Sequence, residues 1–338
     1  MSSPQAETVE LVILDSLLYG AARAFNYLGE EGQEMLDKIG GGIVEYLVKK
    51  GLIQESNDLQ QMALELANFF RENGYVGQVS FTPKGEVVTV TIQNWTYLPL
   101  MKNLRSKGSY LLVCPLCLAN NSVLRSNALG WKRVSEQVDS EGMYFEQVQV
   151  VPTAQATVNP PTLADLRAIP EANRDKQVGI SVFEAVEYGL MRGFDYLGAQ
   201  AELFLNSVGR GILEFLKEEG GFQYSDKPEQ AASSLAGFFA RHRLADRITI
   251  QLSNSSARVE FENYRYGPVL KEALSEGLQY ATCPFLLATK ALLREAGQTV
   301  VKSEWTFRNG RYANLTMSLR GVAHEFDEEK TSALMGSD

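Results

Sequence analysis

The chain repeats itself at an offset of 169 residues, and the repeat runs without a gap from Tyr19 to Pro115. Tyr19-Gly20 and Phe25-Asn26-Tyr27-Leu28-Gly29 return as Tyr188-Gly189 and Phe194-Asp195-Tyr196-Leu197-Gly198. Gly40, Gly42, Ile43 and Glu45 fall onto Gly209, Gly211, Ile212 and Glu214, and Leu66-Ala67 and Phe69-Phe70 onto Leu235-Ala236 and Phe238-Phe239. Asn94, Tyr97 and Pro99 match Asn263, Tyr266 and Pro268, and Cys114-Pro115 matches Cys283-Pro284. A period this long exceeds any solenoid unit. The repeat is a duplicated domain, and its two copies are expected to face each other as a pseudo-dimer.

Each copy opens with helical patterning. Leu11, Leu14, Leu18, Ala21 and Phe25 follow helical spacing, as do Phe183, Val186, Leu190 and Leu197. A second helix carries Leu36, Ile39, Ile43, Tyr46 and Leu47, matched by Leu205, Val208, Ile212, Phe215 and Leu216, with Gly51 and Gly220 as expected C-caps. A third carries Leu59, Met62, Leu66, Phe69 and Phe70. The period then changes to two at Val88, Val90 and Ile92, at Ile248, Ile250 and Leu252, and at Val259 and Phe261. A short helix over 98–105, a helix after Cys-Pro and a closing hairpin complete the module. The second hairpin turns at Asn309-Gly310. The fold class is therefore α+β: two tandem copies of a helical hairpin plus a small antiparallel sheet. The modules occupy 8–151 and 178–320. A Pro-rich linker over 152–177, with Pro152, Pro160, Pro161 and Pro170, separates them, and an acidic tail spans 321–338.

The 338 residues suffice for two modules that each bury a core. A formal charge of -9 argues against a nucleic-acid surface, which needs a basic patch. No apolar run is long enough to span a membrane, and no signal peptide is visible at the start. Three cysteines are too few for a secreted disulfide framework, so the expected location is cytoplasmic with reduced thiols.

The duplication also ranks the candidate chemistry. Cys114 and Cys283 precede a proline suited to a first helical turn, where the helix dipole favours a thiolate; a buried small hydrophobe is the plainer alternative. Cys114-Pro115-Leu116-Cys117 is a CxxC, but Leu286 stands where the second copy would need its second cysteine. The glycines at 40–42 and 209–211 lie in helical patterning, not after a strand, so they read as sites of close helix approach and not as a phosphate cradle. His242 and His324 do not repeat, and no nucleophile–base arrangement is visible. Trp95 and Tyr97 match Tyr264 and Tyr266, each set following a retained asparagine, Asn94 or Asn263. These aromatics are either core or the lining of an apolar pocket.

The later half of each module has a recognisable form: two strands, an asparagine, a short helix, an apolar approach to a cysteine, a helix and a hairpin. In the second copy it runs from Arg258 to Leu319 and includes Cys283-Pro284-Phe285-Leu286-Leu287-Ala288 and Leu292-Leu293-Arg294-Glu295-Ala296-Gly297. It resembles the 4-vinyl reductase, or hydrocarbon-binding, domain, which is related to vesicle-tethering TRAPP subunits and to haem nitric-oxide sensors. The family's recurring cysteine falls on Cys114 and Cys283. Its later cysteines are absent, so no metal is expected. The resemblance implies binding of a small hydrophobic molecule, a chlorophyll-type or bilin tetrapyrrole; the candidate ligand-binding residues are the family's cysteine positions, Cys114 and Cys283, together with the positions matched between the copies, Trp95, Tyr97, Tyr264, Tyr266, Asn94 and Asn263. Tandem members are similar to cyanobacterial proteins associated with photosystem II assembly. That implies assembly proteins as partners at the thylakoid surface, with no transmembrane segment. No catalytic residues are assigned. A pure protein-interaction scaffold and a tetrapyrrole vinyl reductase, or its accessory, are the alternatives.

Overall fold

The structure is a computed structural model and describes residues 7–26, 28, 30–109, 113–156, 169, 176–309 and 311–321. The acidic tail beyond 321, Tyr27, His324 and most of the linker lie outside the described residues. The first half runs β1 (Thr8–Glu10), α1 (Leu11–Phe25), α2 (Glu30–Lys49), α3 (Leu59–Glu72), β2 (Gln78–Lys84), β3 (Val87–Gln93), α4 (Tyr97–Ser106), α5 (Pro115–Ser126), β4 (Leu129–Val138) and β5 (Tyr144–Pro152). The same order returns as β6 (Gln177–Gly179), α6 (Ile180–Leu197), α7 (Ala201–Glu218), α8 (Pro228–Arg241), β7 (Arg247–Leu252), β8 (Ser256–Glu262), α9 (Gly267–Ser275), α10 (Pro284–Glu295), β9 (Gln298–Arg308) and β10 (Tyr312–Gly321). Two antiparallel four-stranded sheets have matching orders, β2-β3-β5-β4 and β7-β8-β10-β9. The α+β class expected from the sequence is observed.

Local signals place the ends. Asp58 caps α3, its carboxylate accepting from the amides of Gln60 and Gln61 at 2.8 and 3.1 Å. Pro115 and Pro284 open α5 and α10 directly after Cys114 and Cys283. Gly51 takes the left-handed conformation beyond α2, with φ +63°. In the second copy that role belongs to Gly221, φ +71°, and not to the expected Gly220.

Two features were not legible in the sequence. The short strands β1 and β6 pair with each other, with Val9 opposite Val178, Thr8 opposite Gly179 and Glu10 opposite Gln177. Since Val178 is the counterpart of Val9, each strand pairs with its own copy about the central valines. The second feature is that the long helices are exchanged: α1 packs along α7, and α2 along α6. The helices of one half thus bury their apolar stripes mainly against those of the other.

Glycine permits the approach. A Cβ on Gly20 would lie 2.5 Å from the Val208 carbonyl, and one on Gly189 would lie 2.6 Å from the carbonyl of Ile39, the counterpart of Val208. Gly42 and Gly211 face these glycines, with Cβ positions 2.8 Å from the Cα of Gly189 and 2.7 Å from that of Gly20. Gly40 and Gly209 do the same within each half, where a Cβ would fall 2.2 Å from the Leu118 carbonyl or 2.3 Å from the Leu287 carbonyl. Each glycine cluster therefore serves two crossings, as its helical setting suggested.

Candidate functional site

The eight residues singled out from the sequence fall into two environments. Cys114, Cys283, Tyr97, Tyr264 and Tyr266 are fully buried, and Trp95 nearly so. Trp95 packs against Tyr144 of β5, and Tyr264 against Phe261 of β8 and Trp305 of β9. The Tyr97 hydroxyl accepts from the Val113 amide at 3.2 Å, and the Tyr266 ring meets Phe183 of α6. The asparagines do not join them. Asn94 and Asn263 turn the chain out of β3 and β8 with φ of 49° and 50°, and Asn94 is exposed. Asparagine tolerates this left-handed conformation better than most side chains, which is a sufficient reason for its retention. The Asn263 amide donates to Asp246 at 2.9 Å, holding the turn.

The thiols differ. In the second half the Tyr264 hydroxyl donates to Cys283 Sγ at 2.9 Å. Burial pushes the Cys283 thiol up to about 12, against the opposing pull of that hydrogen bond. In the first half Trp95 replaces Tyr264, and the hydroxyl near the thiol comes instead from Tyr75, whose Oη is 3.9 Å from Cys114 Sγ. Tyr75 stands where the second half has Leu244. Burial also raises the Cys114 thiol, but hydrogen bonds from Cys117 and from Tyr75 outweigh it and hold Cys114 below the ordinary thiol range. Cys117 is pushed up in turn, chiefly by its hydrogen bond to Cys114 and by burial. The two thiols of the CxxC share one site for negative charge, and Cys283 has no such neighbour.

The larger difference lies on the inner face of the first sheet. Tyr144, Glu146 and Val148 alternate along β5 and point inward, opposite Ile92, Val90 and Val88 of β3. Glu136 of β4 lies directly across from Glu146. Two like charges so placed would repel, and each is held by an arginine. Arg105 of α4 reaches both Glu136 oxygens through Nη2 at 3.2 and 3.5 Å, with 6% and 2% of the two side chains exposed. Arg133 pairs with Glu146. A bulge between Arg133 and Ser135 turns Arg133 inward. Burial, partly offset by Arg133, raises the Glu146 carboxyl. Tyr144 lies beside it and meets the Trp95 ring edge-on, with centroids 4.7 Å apart.

The second half closes the same space with hydrocarbon. At the offset of 169, Arg105 becomes Leu274, Cys117 Leu286, Glu136 Trp305, Tyr144 Ala313 and Glu146 Leu315. Trp305 there stacks with Phe261, Tyr264 and Phe307. Among the described residues, the first half leaves three buried donors in or near this network without a partner, Trp95 Nε1, Arg105 Nη1 and Tyr144 Oη. The second half leaves Trp305 Nε1, Ser303 Oγ, Thr289 Oγ1, Arg192 Nε and the Glu187 carboxylate oxygen Oε1 unpaired, but none of these lies beside a buried Arg–Glu pair like Arg105–Glu136. Arg105, Arg133, Glu136, Tyr144 and Glu146 were missed in the sequence because retained positions were sought; they are divergent ones.

A cavity between the halves, lined by Leu18, Phe25, Ile39, Ile43 and Val186 among others, holds about 10 Å³, room for one water at most. Among the described residues no group of three or more His, Cys, Asp or Glu side chains is placed to hold a metal, and no helix is long and apolar enough to cross a membrane. Comparison with family models, with curated proteins and with solved structures finds no match to the chain.

Proposed function

We propose that the protein is a non-enzymatic binding and assembly protein in which the two halves have divided the work. The first half keeps a ligand site on the inner face of its sheet. The second half is sealed and serves as a docking and stabilising body. The observation that carries this reading is the set of buried, unpartnered donors around one charge network, Trp95 Nε1, Arg105 Nη1 and Tyr144 Oη, where the other half has Tyr264, Leu274 and Ala313. An unpaired buried donor costs free energy that a ligand acceptor would recover. The ligand class that fits is a largely apolar molecule bearing a carboxylate or carbonyl. The resemblance to hydrocarbon-binding domains makes a chlorophyll-type or bilin tetrapyrrole the first candidate, and photosystem II assembly at the thylakoid surface the setting. Because both cores are filled by their own side chains, uptake requires the β4–β5 hairpin to lift from α4 and α5.

The test is titration of the intact chain with chlorophyllide and with biliverdin, read by the pigment's absorption band and by quenching of tryptophan fluorescence. Binding is expected to weaken about tenfold at most in Trp95→Phe, the loss of one hydrogen bond, and to be unchanged in Trp305→Phe. Equal effects of the two substitutions, or no retained pigment, would refute the ligand reading. The filled cores favour the second reading, a protein-interaction scaffold. Stable capture of a partner from photosynthetic membranes by a chain that binds no pigment would establish it.

A further inference from the structure

The contacts between the halves occur twice, at reciprocal ends of the helix exchange. At one end the Tyr19 hydroxyl donates to Glu214 at 2.6 Å, and Arg23 lies 3.9 Å from the same carboxylate. At the other the Tyr188 hydroxyl donates to Glu45 at 2.9 Å, and Arg192 pairs with it. These residues are the same type at both ends.

Their neighbours are not. At the first end Lys107 pairs with Glu218, and the Asn103 amide donates to Glu219 at 2.9 Å. At the second end Glu276 pairs with Lys49, and Glu272 pairs with Lys49 at 2.7 Å and with Lys50. Glu276 is the counterpart of Lys107, and Lys49 is the counterpart of Glu218. Glu272 and Lys50 likewise stand for Asn103 and Glu219. Both members of each pair have changed together, and the Lys107–Glu218 pair has inverted its charges.

We infer that these residues form a pairing code through which each module accepts only a module of the other type. If two first modules met through this surface, Lys49 and Lys50 would face Lys107 and Asn103. Two second modules would set Glu218 and Glu219 against Glu276 and Glu272, four carboxylates in place of two salt-bridged sets, with Arg192, 3.9 Å from Glu276, as the nearby cation. Like charges at a close contact reject the wrong partner while the unlike pair stays satisfied. The glycine contacts are common to both ends and cannot discriminate. The aromatic contacts differ by one hydroxyl, since Tyr46 donates to Glu184 at 3.0 Å where the other end has Phe215 and Asp15, and the charged rim is the part that turns repulsive in a wrong pairing. The partner this surface fits is therefore the opposite module, which the chain supplies itself.

The code can be read in the intact chain by building the wrong pairs into one end. Lys49→Glu with Lys50→Glu imitates contact between two second modules, and Glu272→Asn with Glu276→Lys imitates contact between two first modules. All four together recreate the charges of the other end. Each two-residue variant is expected to lower the folding equilibrium constant about tenfold, as a network of exposed ion pairs turns repulsive. The four-residue variant should recover most of the loss, and 1 M salt should shrink both deficits. Urea unfolding at low and high salt measures all of these. If the four-residue variant is as unstable as the two losses summed, or if the two-residue variants match the parent chain, the charges carry no pairing code.

Discussion

Single residues in this molecule are best understood against their partners 169 positions away. Asn94 and Asn263 were legible as a retained pair, but their retention answers to backbone geometry, the positive φ that both adopt. The charged network around Glu136 and Glu146 was not legible by retention, because the second copy replaced it with Trp305 and Leu315. That exchange predicts its own energetics. Arg105→Leu alone leaves Glu136 buried without its cation and should cost about 3–5 kcal/mol, whereas Arg105→Leu with Glu136→Leu should cost far less; urea midpoints of the two variants decide. The buried carboxyls give a second prediction. Burial raises Glu184 to about 7, its hydrogen bond from Tyr46 opposing, and burial raises Asp15 and Glu187 well above their ordinary range. A carboxyl with a raised folded pKa binds its proton more tightly in the folded chain than in the unfolded one. Its stabilising contribution is therefore complete below the unfolded value near 4.5 and, for Glu184, is lost as pH rises through about 7. The urea midpoint should fall across that window, and Glu184→Gln should flatten part of the fall.

At the scale of elements, hydrophobic period located the helices and hairpins, because each buries one stripe or one face whatever covers it. It could not say which helix covers which. The apolar stripe of α1 would suit α2 as well as α7, and only the fold shows that α7 takes it. The three-residue strands β1 and β6 are too short for any period to register. The glycines were the part of the sequence that pointed beyond the single element, since a helix-weakening residue kept in both copies implies a close neighbour. Gly20→Ala should destabilise by about 1–3 kcal/mol, because its Cβ meets the Val208 backbone at 2.5 Å and backbone cannot give way cheaply. Gly237 supplies the contrast. It lies exposed in α8 with nothing within 4 Å, and Gly237→Ala should stabilise by about 0.5–1 kcal/mol through helix propensity alone. Thermal denaturation of the two variants should move in opposite directions.

The whole molecule takes its character from the exchange of helices. Were each half an independent domain, α1 and α2 would bury their stripes against each other, and the charged rim would be a contact between finished bodies. Instead Tyr19 meets Phe215, Tyr46 meets Tyr188 and Phe25 meets Phe194, ring centroids 5.4, 5.5 and 5.8 Å apart, all across the division. Gly20 and Gly42 also find their close neighbours in the other half. Opening one half would expose the apolar stripes of α6 and α7 along with those of α1 and α2, so neither half has a stable state to wait in while the other unfolds. A chain of this length built from two copies would ordinarily unfold in two steps, one per domain. The expectation here is a single transition in calorimetry, with van't Hoff and calorimetric enthalpies equal, and with far- and near-ultraviolet circular dichroism tracing the same curve. Gly20→Ala and the two-residue charge variants should shift that transition without dividing it. Two resolved transitions in the parent chain would mean that the exchanged helices do not couple the halves, and that the duplicated modules fold as separate domains.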